Sequence, residues 1–123
     1  MIDLKGAPVL IVEDEIAVST LLEAAVSDAS GRVVGPAIDI PASLVLIESE
    51  KLSAAILDLI VHGEYADAVA IELTRRGIPF AVTTGIGVNM DHPALRDAPI
   101  ITKPFQAEYV QQLLARLIQG HPD

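Results

Sequence analysis

Five polar residues stand where short apolar runs give way: Glu13 and Asp14 after residues 8–12, Asp58 after residues 53–57, Thr84 after residues 78–82, and Lys103 after residues 98–101. Three carboxylates, a hydroxyl and an ammonium make a useful set if the fold gathers them. Asp14 and Asp58 could share one divalent ion, and a hard, oxygen-only donor set suits Mg²⁺. Lys103 offers a compact, mobile positive charge, better suited than a planar guanidinium to following an anionic group.

Such a gathering requires elements that end at a common edge. The run Pro8-Val9-Leu10-Ile11-Val12 has no polar alternation and suits a central strand buried on both faces. Val18, Leu21, Leu22, Ala25, Val26 and Ala29 then step at helical spacing over residues 15–29, with Gly31 as the stop. Residues 32–37 make a second strand, and Pro36 within it belongs at a sheet edge. Asp39 can cap a helix to about Lys51, with Pro41 in its first turn. Residues 53–57 form a third strand, 65–76 a third helix ending at Gly77, 78–82 a fourth strand and 98–101 a fifth. Val110, Leu113, Leu114, Leu117 and Ile118 make one stripe on the last helix, which Gly120 and Pro122 stop. Tyr109 lies outside that stripe, and His62 reads as a loop residue.

Strands alternating with helices predict an α/β fold, a doubly wound five-stranded parallel sheet in the order 2-1-3-4-5. In such a sheet the residue after each strand emerges at the carboxyl edge, where ligands bind. Residues 85–97 carry two Gly, Asn89, two Asp and Pro93 and offer few apolar anchors, so the helix between the last two strands is expected to be short or irregular.

Composition narrows the possibilities. At 123 residues, 51% of them hydrophobic, the chain suits one domain over residues 1–123 with a sizeable core. There is no Cys, and His62, His92 and His121 lack paired ligand spacing, so thiol chemistry and Cys/His metal sites are excluded. Seventeen acidic against eight basic residues give a formal charge of −9, which argues against nucleic acid and anionic membranes as partners. No run approaches a membrane span and the start lacks a long apolar stretch, so the cytoplasm is expected.

Val9-Leu10-Ile11-Val12-Glu13-Asp14-Glu15, Leu57-Asp58-Leu59, Thr84-Gly85 and Lys103-Pro104-Phe105 resemble, in order, the four motifs of bacterial response regulator receiver domains, CheY-like in fold. The resemblance covers about residues 7–119. It implies that Asp58 is the phosphate acceptor and that Glu13 and Asp14 are the acidic pair positioning Mg²⁺. The backbone carbonyl of Ile60 would be a further ligand, Thr84 would contact the phosphoryl group, and Lys103 would pair with it. It also implies a cis Lys103-Pro104 bond. The chemistry is coherent, because a carboxylate attacking an anionic phosphorus centre needs a metal and a cation to offset charge.

The resemblance points to a stand-alone phosphorylation switch rather than an enzyme. A sensor histidine kinase, of HWE type by the Thr-Gly-apolar match at residues 84–86, or a phosphotransfer protein would be the donor, and a downstream protein the target. Many receivers carry Tyr or Phe three residues before the Lys, and here that place holds Ile100. That substitution and the irregular segment keep an alternative open, a pseudo-receiver that binds partners without phosphorylation. Ile60 and Ile86 border the path of the hydrolytic water in such domains, which implies slow self-dephosphorylation, and residues 85–97 are expected to order on activation.

Overall fold

The computed structural model describes residues 2–85 and 92–120. Its elements are β1 (Pro8–Val12), α1 (Ile16–Asp28), β2 (Arg32–Ala37), α2 (Ile40–Ser49), β3 (Ala54–Asp58), β4 (Ile60–Val61), β5 (Glu64–Tyr65), α3 (Asp67–Arg75), β6 (Phe80–Thr84), β7 (Ile100–Thr102) and α4 (Ala107–Gln119). Five strands form a parallel sheet in the order β2-β1-β3-β6-β7, the order the sequence predicts. β2, which carries Pro36, lies at one edge, and its register with β1 slips by one residue where Gly35 and Pro36 stand opposite Ile11.

The apolar strands are buried from both sides. On one face Val9, Ile11, Ile56, Ala81 and Ile101 pack against Leu22, Ala25 and Val26 of α1 and Val110, Leu113 and Leu114 of α4. On the other, Leu10, Val12, Leu57 and Val82 meet Ile47 of α2 and Val69, Ala70 and Leu73 of α3. This two-sided burial is why these strands show no polar alternation.

Local chemistry sets the boundaries. Asp39 caps α2 by accepting from the Ala42 N–H at 2.8 Å. α1 stops at Asp28, and Ser30, not Gly31, takes the left-handed backbone, with φ 63°. Gly31 is required for space: a Cβ there would lie 2.8 Å from Val26 Cγ1. β6 and β7 begin later than the apolar runs suggest. Pro79 and Pro99 still accept ladder bonds, from Ala55 and Val82, but neither can donate one, and the strands are complete only from Phe80 and Ile100.

The largest departure lies between β3 and α3. The predicted third helix starts two residues late, at Asp67, because Tyr65 is taken into an antiparallel hairpin, β4-β5, pairing Ile60 with Tyr65 and Val61 with Glu64. Its turn is His62-Gly63, with φ 51° and 78°, the left-handed pair that a two-residue hairpin turn demands. Residues 93–98 form turns rather than a helix, in keeping with the irregular segment expected there. They are anchored more firmly than the sequence implies: Leu95 is fully buried among the residues that face α2 and α3. Ile86 and the remainder of that segment, residues 86–91, lie outside the described residues.

Candidate functional site

At the carboxyl edge of the sheet, β1, β3 and the residue after β7 bring Glu13, Asp58 and Lys103 together. Lys103 Nζ lies 3.3 Å from Asp58 Oδ2 and 3.7 Å from Glu13 Oε1, bridging two adjacent strand ends. The register explains the convergence: β1 pairs with β3, β3 with β6 and β6 with β7, so the strand ends stop at nearly one level. Asp14, one residue further on, is exposed, and its Oδ2 accepts the backbone N–H of His62 at 3.0 Å. The Lys103-Pro104 peptide bond is cis, as the resemblance implies, and so is Gly35-Pro36.

Glu13 is the unusual member. It is 1% exposed, its Oε2 accepts the Glu15 N–H at 3.1 Å, and its Oε1 has no hydrogen-bond partner. Burial, then the neighbouring Asp58 carboxylate, push its carboxyl up to about 7, against the opposing pull of the Glu15 N–H and Lys103. A buried acid with an unused oxygen beside two other carboxylates is a site prepared for positive charge. One carboxylate oxygen from each of Glu13, Asp14 and Asp58 falls within 4.8 Å of the others, which fits a hard divalent cation with oxygen ligands. Ile60, the proposed carbonyl ligand, opens the hairpin two residues past Asp58.

Thr84 is placed at the end of β6 but does not join this network. It is nearly buried, and its hydroxyl donates to the Gly85 carbonyl at 3.3 Å. Ile100 sits on the edge strand β7, where its carbonyl accepts the hydroxyl of Tyr109 from α4, a residue outside the buried stripe, at 3.2 Å. Sequence reasoning missed the role of His62, whose backbone rather than its ring reaches the site. The signal was present in the His-Gly pair between Val61 and Glu64, a two-residue hairpin loop.

No protein-family model and no curated protein matches the chain. Among solved structures it is similar to SdrG from Sphingomonas melonis Fr1, at 34% identity and TM-score 0.81 over 91% of this chain and 96% of that one. It is similar to the receiver domain of the sensor histidine kinase PA1611 from Pseudomonas aeruginosa, which has a magnesium ion coordinated in its active site cleft. There the identity is 22% and the TM-score 0.80, over 93% of this chain and 98% of that one, a likeness of fold. It is also similar to the response regulator PhyR from Brucella abortus, 26% identical with TM-score 0.77, over 94% of this chain and 49% of that one. The sheet order, the acidic strand ends with their lysine, and a relative 34% identical along nearly its whole length agree, and the chain belongs to the response regulator receiver domains of two-component signalling.

Proposed function

We propose that this receiver is a phosphorylation switch in which Asp58 takes a phosphoryl group from a histidine kinase or phosphotransfer protein. The observation that carries the reading is Lys103 held between Asp58 and Glu13 at 3.3 and 3.7 Å, a cation poised over the nucleophile. An Asp58 oxygen attacks phosphorus; the new O–P bond forms as the donor's N–P bond breaks, and the electron pair stays on the imidazole nitrogen. Glu13, Asp14, Asp58 and the Ile60 carbonyl would hold Mg²⁺, which when bound supplies positive charge to the phosphoryl oxygens. Lys103 turns to a phosphoryl oxygen, and Thr84, released from the Gly85 carbonyl, donates its hydroxyl to another.

The product is a modified surface read by a downstream protein, and the chain is a switch with slow self-dephosphorylation rather than a turnover enzyme. A cytoplasmic location goes with this reading, since ATP, the ultimate source of the phosphoryl group, is there. Incubation with Mg²⁺ and acetyl phosphate, followed by intact-mass measurement, tests it. One phosphate adduct on the wild type and none on Asp58→Ala is the expected result. No adduct from acetyl phosphate or from a phosphorylated donor protein would leave the phosphorylation-independent binding module as the better reading.

A further inference from the structure

Among the described residues, two buried side-chain oxygens have no hydrogen-bond partner, Glu13 Oε1 and Thr83 Oγ1. The first belongs to the acidic site. The second is on a fully buried residue in β6, adjacent to the Thr84 that the family resemblance singles out.

The sheet register places Thr83 beside the nucleophile. β3 pairs with β6 so that Asp58 stands opposite Thr83, and β6 with β7 so that Thr83 stands opposite Ile101. Side chains alternate along a strand, and Ile11, Ile56, Ala81 and Ile101 all face α1 and α4. Two residues further along β3 and β6 come Asp58 and Thr83, which therefore share that face, and Lys103, just past the end of β7, reaches Asp58 at 3.3 Å and Glu13 at 3.7 Å. Thr84 has the opposite alternation, that of Val82, which faces α2 and α3. Of the two hydroxyls, it is Thr83's that lies in the cross-strand row of Asp58, on the side from which Lys103 approaches.

A buried hydroxyl without a partner costs stability, whereas Val has the same shape, favours strands equally and carries no such cost. The hydroxyl is therefore poorly explained by packing. In the resting arrangement Asp58 Oδ2 has Lys103 for a donor. Once Lys103 turns to a phosphoryl oxygen, the carboxyl group of Asp58 loses that donor, and an O–H with no other acceptor lies one strand away. We propose that Thr83 is a positioning residue of this site, its hydroxyl donating to the Asp58 carboxyl group as Lys103 leaves it. The inference rests on Asp58 being the phosphoacceptor.

The test uses the whole chain with Mg²⁺ and acetyl phosphate, comparing wild type, Thr83→Val and Thr83→Ser by intact-mass time course and thermal melting. Thr83→Val should melt at or above the wild-type temperature and yet take up phosphate roughly tenfold more slowly, since a misoriented nucleophile loses rate without losing fold. Thr83→Ser should recover a rate within about twofold of wild type, the hydroxyl being what the step needs. If Thr83→Val does not fold, Thr83→Ala serves as the hydroxyl-free variant. Uptake by the Val or Ala variant at the wild-type rate, or equal slowing in Val and Ser, overturns the role of Thr83 alone. Absence of uptake by the wild type strikes the phosphoacceptor reading itself, and Thr83's role with it.

Discussion

The backbone N–H of His62 donates to Asp14 Oδ2 at 3.0 Å, across 48 positions of sequence, fastening the hairpin after β3 to the loop after β1. One acid of the Glu13, Asp14 and Asp58 cluster is thus oriented by a turn whose two residues both hold positive φ. Gly63, at φ 78°, has open space where a Cβ would go, so the penalty for a side chain there is conformational, not steric. Gly63→Val should lower stability by about 1–2 kcal/mol and weaken Mg²⁺ binding severalfold. Urea unfolding and calorimetric Mg²⁺ titration check the two effects, and unchanged Mg²⁺ affinity would show that the turn does not orient Asp14.

Glu13 makes stability depend on pH. Its carboxyl group is raised in the folded chain to about 7 from an ordinary value of 4.5, so between those values the native state binds more protons than the unfolded one. The chain should gain stability as pH falls from 8 through 7 toward 5, and lose it as pH rises, with a total on the order of 3 kcal/mol as an upper figure. Other groups add their own slopes, so the comparison that isolates the effect is Glu13→Gln, in which this component vanishes. Saturating Mg²⁺ should flatten the wild-type slope, because a cation bound only by the native state stabilises the ionised carboxylates. Melting curves from pH 5 to 8, with and without Mg²⁺, provide the reading. A wild-type slope equal to that of Glu13→Gln would contradict the assignment.

The imidazole of His92 stacks on Tyr65, with centroids 3.8 Å apart and planes inclined by 22°, and its Nδ1 lies 3.1 Å from Asp67 Oδ2. This clasp ties the residue before the 93–98 turns to the hairpin and to the first turn of α3. The His92 carbonyl in turn accepts the N–H groups of Leu95 and Arg96. His92→Ala should cost about 1 kcal/mol and speed amide exchange at Leu95, Arg96 and Ala98 while leaving β1 and β3 protected. Uniform change across the whole chain would argue against a local clasp.

Ile60 is exposed and stands two residues beyond Asp58. A branched apolar side chain there offers nothing to orient a hydrolytic water. Ile60→Asn, which restores a hydrogen-bonding group, should shorten the lifetime of the phosphorylated form by roughly tenfold. The decay of the intact-mass adduct after removal of the phosphodonor measures it, and an unchanged lifetime would rule out shielding by Ile60.

Much of the fold could be read from the chain because its strongest signals are local. Continuous apolar runs at residues 8–12 and 53–57 mark strands covered on both faces, and the stripe through Val110, Leu113 and Leu114 marks the inner side of α4. The strand order followed from chirality and short connections, and the polar residues at the strand ends followed from the strand order. Even Asp39 as a cap and Gly120 as a left-handed stop are properties of a few neighbouring residues.

What the chain alone left undecided depends on partners distant in sequence. Nothing near Glu13 says that it is buried and Asp14 exposed; that comes from where α1, β3 and the hairpin pack around two adjacent acids. The two-residue strands of the hairpin are too short for periodicity to reveal, and the fastening of His62 to Asp14 is a backbone bond independent of side-chain type. Thr83 and Thr84 are alike as letters in a strand. Only the register with β3 and the alternation of faces distinguish the hydroxyl beside Asp58 from the one bonded to Gly85, because a side-chain period of two sends neighbours to opposite sides of the sheet.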